Sequence, residues 1–246
     1  MTVRAKYTPD LGFRQDLHGK LLRLRQSVLK SSGAQRSFSQ HGEDILLHDL
    51  FSGSTGHYVD IGAGEPAKGS NTYSFYRAGW HGVCVEPLLH NVTWGRKLRP
   101  RDHYVHALCG DSKSTAEFYQ FSPYQYSTAD SVRASALVES GIPLKDTYSL
   151  PTIPLRELEV RARPSEPSFL SIDVEGWEKV VLQTNDWNEY CPSAICVEEW
   201  EYKWGEPTEV NELLAKVGYR LIARTGWSNL YIHHMGNFSA GWATSD

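Results

Sequence analysis

The chain has 246 residues, enough for one α/β domain with an N-terminal extension. Hydrophobic residues make up 40% of it and charged residues 22%, and the formal net charge is −4. These values exclude a global attraction to nucleic acid, and no stretch approaches the length of a transmembrane span. Because the four cysteines lack ligand-like spacing, we expect free thiols in a cytoplasmic enzyme.

Residues 1–36 form a basic segment, for which we predict a helical extension ahead of a single catalytic domain over 37–246. Eight Lys/Arg stand against two Asp, so the segment sums to +6 and leaves −10 for the remainder. Leucine and valine recur in it at helical spacing. Such a helix packs on the domain, joins two subunits into a homo-oligomer, or lies on a membrane surface.

A polar segment, Phe38 to Asp44, precedes an apolar helix that we predict over Ile45 to Phe51. It is typical of a helix start with acids in the first turn. The alternative is that it folds over a ligand cleft, because it lies just before the first core strand.

Tyr58 to Pro66 runs from a hydrophobic strand through an acid into two glycines. The pattern predicts a buried strand that ends at a sharp turn. Gly62 and Gly64 remove Cβ where a ligand or another backbone comes close. Asp60 is expected at the carboxyl end of the strand, where open α/β sheets bind ligands. We predict the following helix over Lys68 to Ala78.

A second strand, Gly82 to Glu86, ends in an acid about 24 residues beyond Gly62, which suits the two hydroxyls of a ribose. The glycines also fit the dinucleotide pattern G-x-G-x-x-A. However, Pro66 has no N–H to offer a pyrophosphate, and the charge of Asp60 would oppose one. The paired acids therefore favour S-adenosylmethionine, with a nicotinamide-dependent oxidoreductase as the alternative.

A third strand is predicted over Tyr104 to Cys109, and a further strand over Ala116 to Phe121. Residues 122–150 lack clear periodicity, so we expect a lid or binding loop that forms part of the acceptor site.

Two more apolar strands run into acids, at Asp173 and Glu175 and at Glu198 and Glu199. Strands that alternate with helices predict a mainly parallel sheet, whose strand ends share one rim. Core packing explains the apolar runs, but a shared site explains why the acids collect where strands end.

These motifs resemble the FkbM family of S-adenosylmethionine-dependent methyltransferases over about residues 38–233. The matching segments are Ser39 to Asp44, Val59 to Pro66, Ser70 to Thr72, Gly79-Trp80, Val85 to Pro87 and Ile172 to Gly176. The resemblance implies a Rossmann-like seven-strand class I methyltransferase sheet. It also implies O-methylation of a sugar hydroxyl or a glycosylated natural product.

The resemblance further implies roles for individual residues. The expected cofactor-binding set is Asp60, Gly62, Ala63 and Gly64 at the methionine end, Glu86 at the ribose, Gly110 and Asp111 near adenine, and the matched Asn71, Thr72 and Pro87. Asp173 and Glu175 would face the methyl group. The presence of Ser171 and Trp177 departs from the family pattern and leaves the shape of the acceptor pocket open.

Methyl transfer to a hydroxyl needs a base or a metal to remove the proton. The base candidates are His41, Asp173 and Glu175. Alternatively, Asp173 with Glu198 or Glu199 could hold Mg²⁺. The expected partner is a small-molecule or glycan acceptor and not nucleic acid, and a non-catalytic S-adenosylmethionine-binding protein is the competing reading.

Overall fold

The structure is a computed structural model that describes residues 36–111, 114–158, 166–200, 203 and 206–238. The basic segment 1–36 therefore lies, apart from Arg36, outside the described residues, and its helix and its role in oligomerisation stay predictions. Within the described part, no helix combines the length and the apolar character needed to cross a membrane.

The strands are β1 His57–Ile61, β2 His81–Glu86, β3 His103–His106, β4 Leu108–Cys109, β5 Thr115–Phe121, β6 Leu144–Ile153, β7 Ser168–Ile172, β8 Ala194–Glu198, β9 Tyr219–Thr225 and β10 Ser228–His233. The α-helices are α1 Glu43–Leu50, α2 Tyr73–Arg77, α3 Leu89–Leu98, α4 Ser131–Glu139, α5 Glu178–Gln183 and α6 Glu209–Lys216. Short 3₁₀ turns occur at Tyr124–Tyr126 and Leu155–Glu157.

Seven strands form one sheet in the order β3-β2-β1-β7-β8-β10-β9. β1 pairs in parallel with both β2 and β7, and β10 lies antiparallel between β8 and β9. The chain builds outward from β1 to β3 and then returns to the other side of β1, so the strand order reverses there. Open α/β sheets bind ligands at such a switch point. The predicted fold class, a Rossmann-like seven-strand sheet of the class I methyltransferase type, is confirmed.

Apolar side chains cover both faces of the sheet. Val59 and Ile61 of β1 belong to one buried cluster, and Tyr58, which precedes Val59, belongs to the cluster on the opposite face. This alternation follows from the two-residue repeat of a strand. Because both faces are buried, polar chemistry is left to the ends of the strands.

Residues 122–150 differ from the lid loop that the sequence predicts. They contain the 3₁₀ turn at Tyr124–Tyr126, helix α4 and the first half of β6, which pairs antiparallel with β5. We call residues 122–143, between β5 and β6, the insertion. Its helix is capped by Asp130, whose side chain accepts hydrogen bonds from the N–H groups of Val132 and Arg133. The hydrophobic periodicity of this segment is weak because many of the side chains in these elements are exposed.

Two other predicted boundaries are corrected. The third predicted strand is divided, because β3 pairs with β2 in the large sheet whereas β4 pairs with β6 in a small one. The helix predicted over 68–78 begins only at Tyr73. Gly69 adopts a φ of 69°, and Ser70 Oγ accepts a hydrogen bond from Tyr73 N (3.1 Å), so a loop precedes the helix.

Candidate active site

The loop that follows β1 contains Gly62 and Gly64, and we call it the glycine loop. It is held between the ends of β2 and β7. The N–H groups of Gly62 and Ala63 donate to the Val85 carbonyl at 2.9 and 3.1 Å. Gly62 has a φ of 77°, and a Cβ built there would lie 1.8 Å from the Asp173 carbonyl oxygen. Of the two reasons that the sequence offers for a glycine, close approach of another backbone is the one that applies at position 62.

Glu86, which is predicted to bind the ribose hydroxyls, lies at the end of β2 and is hydrogen-bonded to the glycine loop. Its Oε2 accepts from Gly64 N (2.7 Å) and its Oε1 from Leu88 N (2.8 Å). The residue is 3% exposed. Burial raises the pKa of Glu86 to about 7, although these N–H groups partly oppose the shift.

Asp60 lies deeper than predicted. It is one residue inside β1 and is buried, and its Oδ2 accepts from Thr72 Oγ1 (2.5 Å). Burial raises its pKa, and the nearby Arg99 guanidinium opposes the rise. Asn71, the neighbour of Thr72, donates to Ser171 Oγ (3.1 Å) and so links the segment before α2 to β7. Asp60 is therefore part of the support behind the glycine loop, and direct contact with methionine stays a prediction.

Arg99, which follows α3, is the main residue of this region that sequence reasoning missed. Its side chain is fully buried and forms an ion pair with Asp102 (Nε to Oδ2, 2.6 Å). Its terminal nitrogens donate to Thr72 Oγ1 (2.9 Å) and to the Pro66 carbonyl (3.3 Å). The guanidinium thus fixes the loop between Pro66 and Thr72. The i,i+3 spacing of Arg99 and Asp102 was the available signal, but it does not reveal burial.

The residues predicted near adenine surround the start of the small sheet. His106 Nε2 lies 2.9 Å from the Pro87 carbonyl, and Gly110 N donates to the Ile153 carbonyl (3.1 Å). Asp111 is exposed. A Cβ built on Gly110 would lie 3.9 Å from Trp177 Cη2, so this tryptophan borders the predicted adenine position.

Three acids come together at the rim: Asp173, Glu175 and Glu198. One carboxylate oxygen from each lies within 4.8 Å of the others, the one group of this kind within the described residues. Burial and mutual repulsion raise the pKa values of all three, with Glu198 acting on Asp173, Asp173 on Glu175, and Glu175 on Glu198. Such a group holds protons near neutral pH or accommodates a cation.

The insertion fixes Glu175 in place. Glu175 has a φ of 58°, a left-handed conformation that costs energy for a residue with a side chain. Thr128 Oγ1 donates to its carbonyl (2.8 Å), and Arg133 forms an ion pair with its carboxylate. The Arg133 guanidinium lies 4.6 Å from the ring centroid of Trp200, whose Nε1 donates to Glu198 Oε2 (2.7 Å). Sequence reasoning missed Arg133, because its partner lies 42 residues away in the chain.

Glu199 does not join the acids, which corrects the predicted metal set. Its Oε1 accepts from Asn229 Nδ2 (2.7 Å) and from the Tyr231 hydroxyl (2.6 Å). Successive residues at the end of a strand point to opposite faces, so Glu198 and Glu199 cannot serve the same site. Glu175 takes its place beside Asp173 and Glu198.

His41, the third base candidate, packs elsewhere. A Cβ built on Gly226, in the turn between β9 and β10, would lie 2.3 Å from the His41 ring. The Nδ1 atom of His41 lies 3.7 Å from Glu43 Oε1. None of its described contacts is with the three acids, so its role as a base stays a prediction.

Residues 60–221 match the family model described as Methyltransferase FkbM domain. No curated protein matches the sequence. Among solved structures, a TehB-like SAM-dependent methyltransferase from Corynebacterium glutamicum matches at 10% identity, over 89% of this chain and 99% of that one, with a TM-score of 0.40. The 1,6-didemethyltoxoflavin-N1-methyltransferase of Burkholderia thailandensis, solved with 1,6-didemethyltoxoflavin and S-adenosylhomocysteine, matches at 11% identity, over 94% and 91%, with a TM-score of 0.41. At these scores the likenesses add nothing to what the sheet order shows.

Proposed function

We propose that this chain, which belongs to the methyltransferase FkbM domain family, transfers the methyl group of S-adenosylmethionine to a hydroxyl of a sugar or glycosylated small molecule. The family establishes a methyltransferase, and the acceptor is our proposal. The observation that carries it is a single contact. The glycine loop with Glu86 meets the three acids where Gly62 lies against the Asp173 backbone. A cofactor at the loop and an acceptor at the acids would therefore be neighbours.

The cofactor half of the site offers groups that fit a nucleoside. The Glu86 carboxylate has acceptor capacity beyond its bonds to Gly64 and Leu88, and ribose hydroxyls are donors. Gly64 has nothing but its own loop within 4 Å of a built Cβ, so a ligand can approach there. Trp177 presents an aromatic ring beside Gly110 on the adenine side. When bound, S-adenosylmethionine supplies the methyl group.

The acceptor half supplies proton acceptors. In the transfer, the C–S bond breaks, an O–CH₃ bond forms, and the acceptor oxygen loses its proton. Asp173 or Glu175 accepts that proton, and the raised pKa of each acid makes its ionised carboxylate a stronger proton acceptor. Arg133 orients Glu175 from the insertion.

The same three carboxylates fit a hard cation, since Mg²⁺ prefers oxygen ligands. Asp173, Glu175 and Glu198 would then hold it, and it would supply Lewis-acid activation of the acceptor hydroxyl. Arg133 already binds Glu175, which makes the metal-free arrangement self-consistent as well. The proposal therefore has two forms, in which the acceptor hydroxyl is activated either by a carboxylate base or by a metal ion.

The acceptor class follows from the insertion and from charge. Residues 122–143 border the acids and carry hydroxyl and phenol groups, which suit a polyhydroxylated ligand. The globular part is acidic, and it would repel the phosphates of a nucleic acid.

The proposal is tested first by cofactor binding. S-adenosylhomocysteine at 100 times its Kd should stabilise the native protein by about 2.7 kcal/mol, which is measured as a rise in Tm. Oxidised nicotinamide dinucleotide at equal concentration should leave Tm unchanged. Stabilisation by the dinucleotide alone would support the oxidoreductase alternative, whereas binding without turnover on any acceptor would support a non-catalytic binding protein.

Glu86→Gln tests the ribose assignment. Ribose hydroxyls donate to the ionised carboxylate, so cofactor binding should favour deprotonation of Glu86. Because the pKa of the buried acid is about 7, S-adenosylhomocysteine affinity should rise between pH 6 and pH 8 in the wild type. Glu86→Gln should remove the Glu86 contribution to this rise and weaken binding by roughly 1.5–3 kcal/mol at the higher pH. The exposed acid Glu139 provides the matched control, Glu139→Gln, in calorimetry. Unchanged affinity in Glu86→Gln means that the ribose binds elsewhere.

A further inference from the structure

We propose that Tyr124 and Glu65 form a clasp across the cofactor site, a hydrogen bond that holds the insertion against the glycine loop while the cofactor is bound. The Tyr124 hydroxyl donates to Glu65 Oε1 at 3.1 Å. This inference rests on the proposed function, because it takes the glycine loop as the place where the cofactor binds.

Glu65 belongs to the cofactor side of the bond. It directly follows Gly64, whose N–H donates to Glu86 (2.7 Å). Tyr124 belongs to the insertion, in the 3₁₀ turn that leads toward Thr128 and the Glu175 carbonyl. One hydrogen bond therefore joins two segments that lie 59 residues apart in the chain.

The tyrosine ring is half-buried, and its hydroxyl interacts with acids from both halves of the site. The ring packs against the apolar cluster of the small sheet, which includes Leu88, two residues beyond Glu86, and against which Trp177 also packs. Burial and the charges of Glu65, Glu86 and Asp173 raise the pKa of Tyr124. The phenol thus lies near Glu86, which is predicted to bind the ribose, and near Asp173, a predicted catalytic residue. It stays protonated and can donate a hydrogen bond.

This position has a kinetic consequence. A cofactor that enters between the glycine loop and the insertion has to part Tyr124 from Glu65, and the bond reforms behind it. A hydrogen bond to a carboxylate is strong enough to favour the closed arrangement and weak enough to open. The clasp should therefore slow both entry and release.

The neighbouring strand β5 contains the matched control. Tyr119 also donates its hydroxyl to an acid, Glu117 (2.9 Å), but this pair is exposed and lies two residues apart. Tyr119→Phe removes the same atom from the same part of the fold without touching the glycine loop.

The experiment measures association and dissociation of S-adenosylhomocysteine by surface plasmon resonance. Tyr124→Phe should raise the dissociation rate about tenfold, and the association rate should rise as well. Glu65→Gln should act in the same direction, and the double variant should be no faster than the larger single effect. Tyr119→Phe should match the wild type.

The outcomes separate this inference from the proposed function. If the wild type binds S-adenosylhomocysteine and Tyr124→Phe leaves its dissociation rate unchanged, the clasp is wrong and the proposed function stands. Independent, additive effects of Tyr124→Phe and Glu65→Gln would also overturn the clasp. If the wild type does not bind S-adenosylhomocysteine, the proposed function fails, and the clasp fails with it.

Discussion

Asp173→Asn is expected to lower kcat by about 10²–10⁴-fold. The amide keeps the shape of the side chain, but it cannot take up the proton that the substrate hydroxyl loses on methylation. Asp173 lies just beyond β7, within 4.8 Å of oxygens of Glu175 and Glu198. Glu175→Gln should have a similar effect, since Arg133 and Thr128 hold that residue in a left-handed conformation beside Asp173. Neither acid is assigned a cofactor contact, so S-adenosylhomocysteine affinity should stay nearly unchanged.

Initial rates of S-adenosylhomocysteine release, first on a panel of glycosides and then on the acceptor so identified, measure this prediction. The exposed acid of β6 gives a matched control, Asp146→Asn, which should keep wild-type turnover. If Asp173→Asn and Glu175→Gln both keep normal turnover, the reacting atoms lie elsewhere on the rim.

Exhaustive EDTA treatment of the wild type separates the two forms of the mechanism. Activity that is lost and then restored by Mg²⁺ would indicate a cation at Asp173, Glu175 and Glu198. Full activity after treatment would remove the metal and leave Asp173 or Glu175 as the base.

The acid-terminated strands are the part of the site that the sequence predicts well. Parallel strands are buried on both faces, so each reads as an unbroken apolar run, and an acid that ends the run is conspicuous. Glu86, Asp173 and Glu198 lie at or just beyond the ends of β2, β7 and β8, as predicted. Asp60 and Glu199 show the limit of this reasoning, because a position near a strand end does not fix the face toward which the side chain points.

The contacts that complete the site could not be predicted from local pattern. Arg133 lies on a helix in a segment that shows no periodicity, and its ion pair with Glu175 depends on how the insertion folds back over the rim. The Tyr124–Glu65 bond likewise joins segments distant in sequence. Such pairs are set by tertiary packing, which local propensity does not contain.

Arg99 presents the same problem in the interior. A fully buried arginine is rare unless its charge is paired, and the sequence places Arg99 at the end of an ordinary amphipathic helix. Its guanidinium is paired with Asp102 and lies 5.5–5.7 Å from the ring centroids of Tyr58, Tyr76 and Tyr104. These contacts make it the structural support of the loop that carries the cofactor motif.

Arg99→Met is therefore expected to lower the free energy of unfolding by about 3–5 kcal/mol, because removing one member of a buried ion pair leaves the other charge without its partner. Asp102 would keep its hydrogen bonds from the Tyr58 hydroxyl and Gly82 N, each at 2.9 Å, but would lose its cation. The loop would lose the donors to Thr72 and to the Pro66 carbonyl. Urea unfolding of the cofactor-free protein measures the change.

Arg96→Met is the matched control for this prediction. Arg96 is exposed and makes one described hydrogen bond, to the Tyr104 carbonyl (2.8 Å), so its loss should cost no more than about 1 kcal/mol. The double variant Arg99→Met with Asp102→Leu removes both charges, and it should recover part of the stability because no charge is left buried alone. The recovery stays incomplete, since the Tyr58 hydroxyl and Gly82 N then lack their acceptor. A loss in Arg99→Met no larger than that in Arg96→Met would show that the buried pair does not support the cofactor loop.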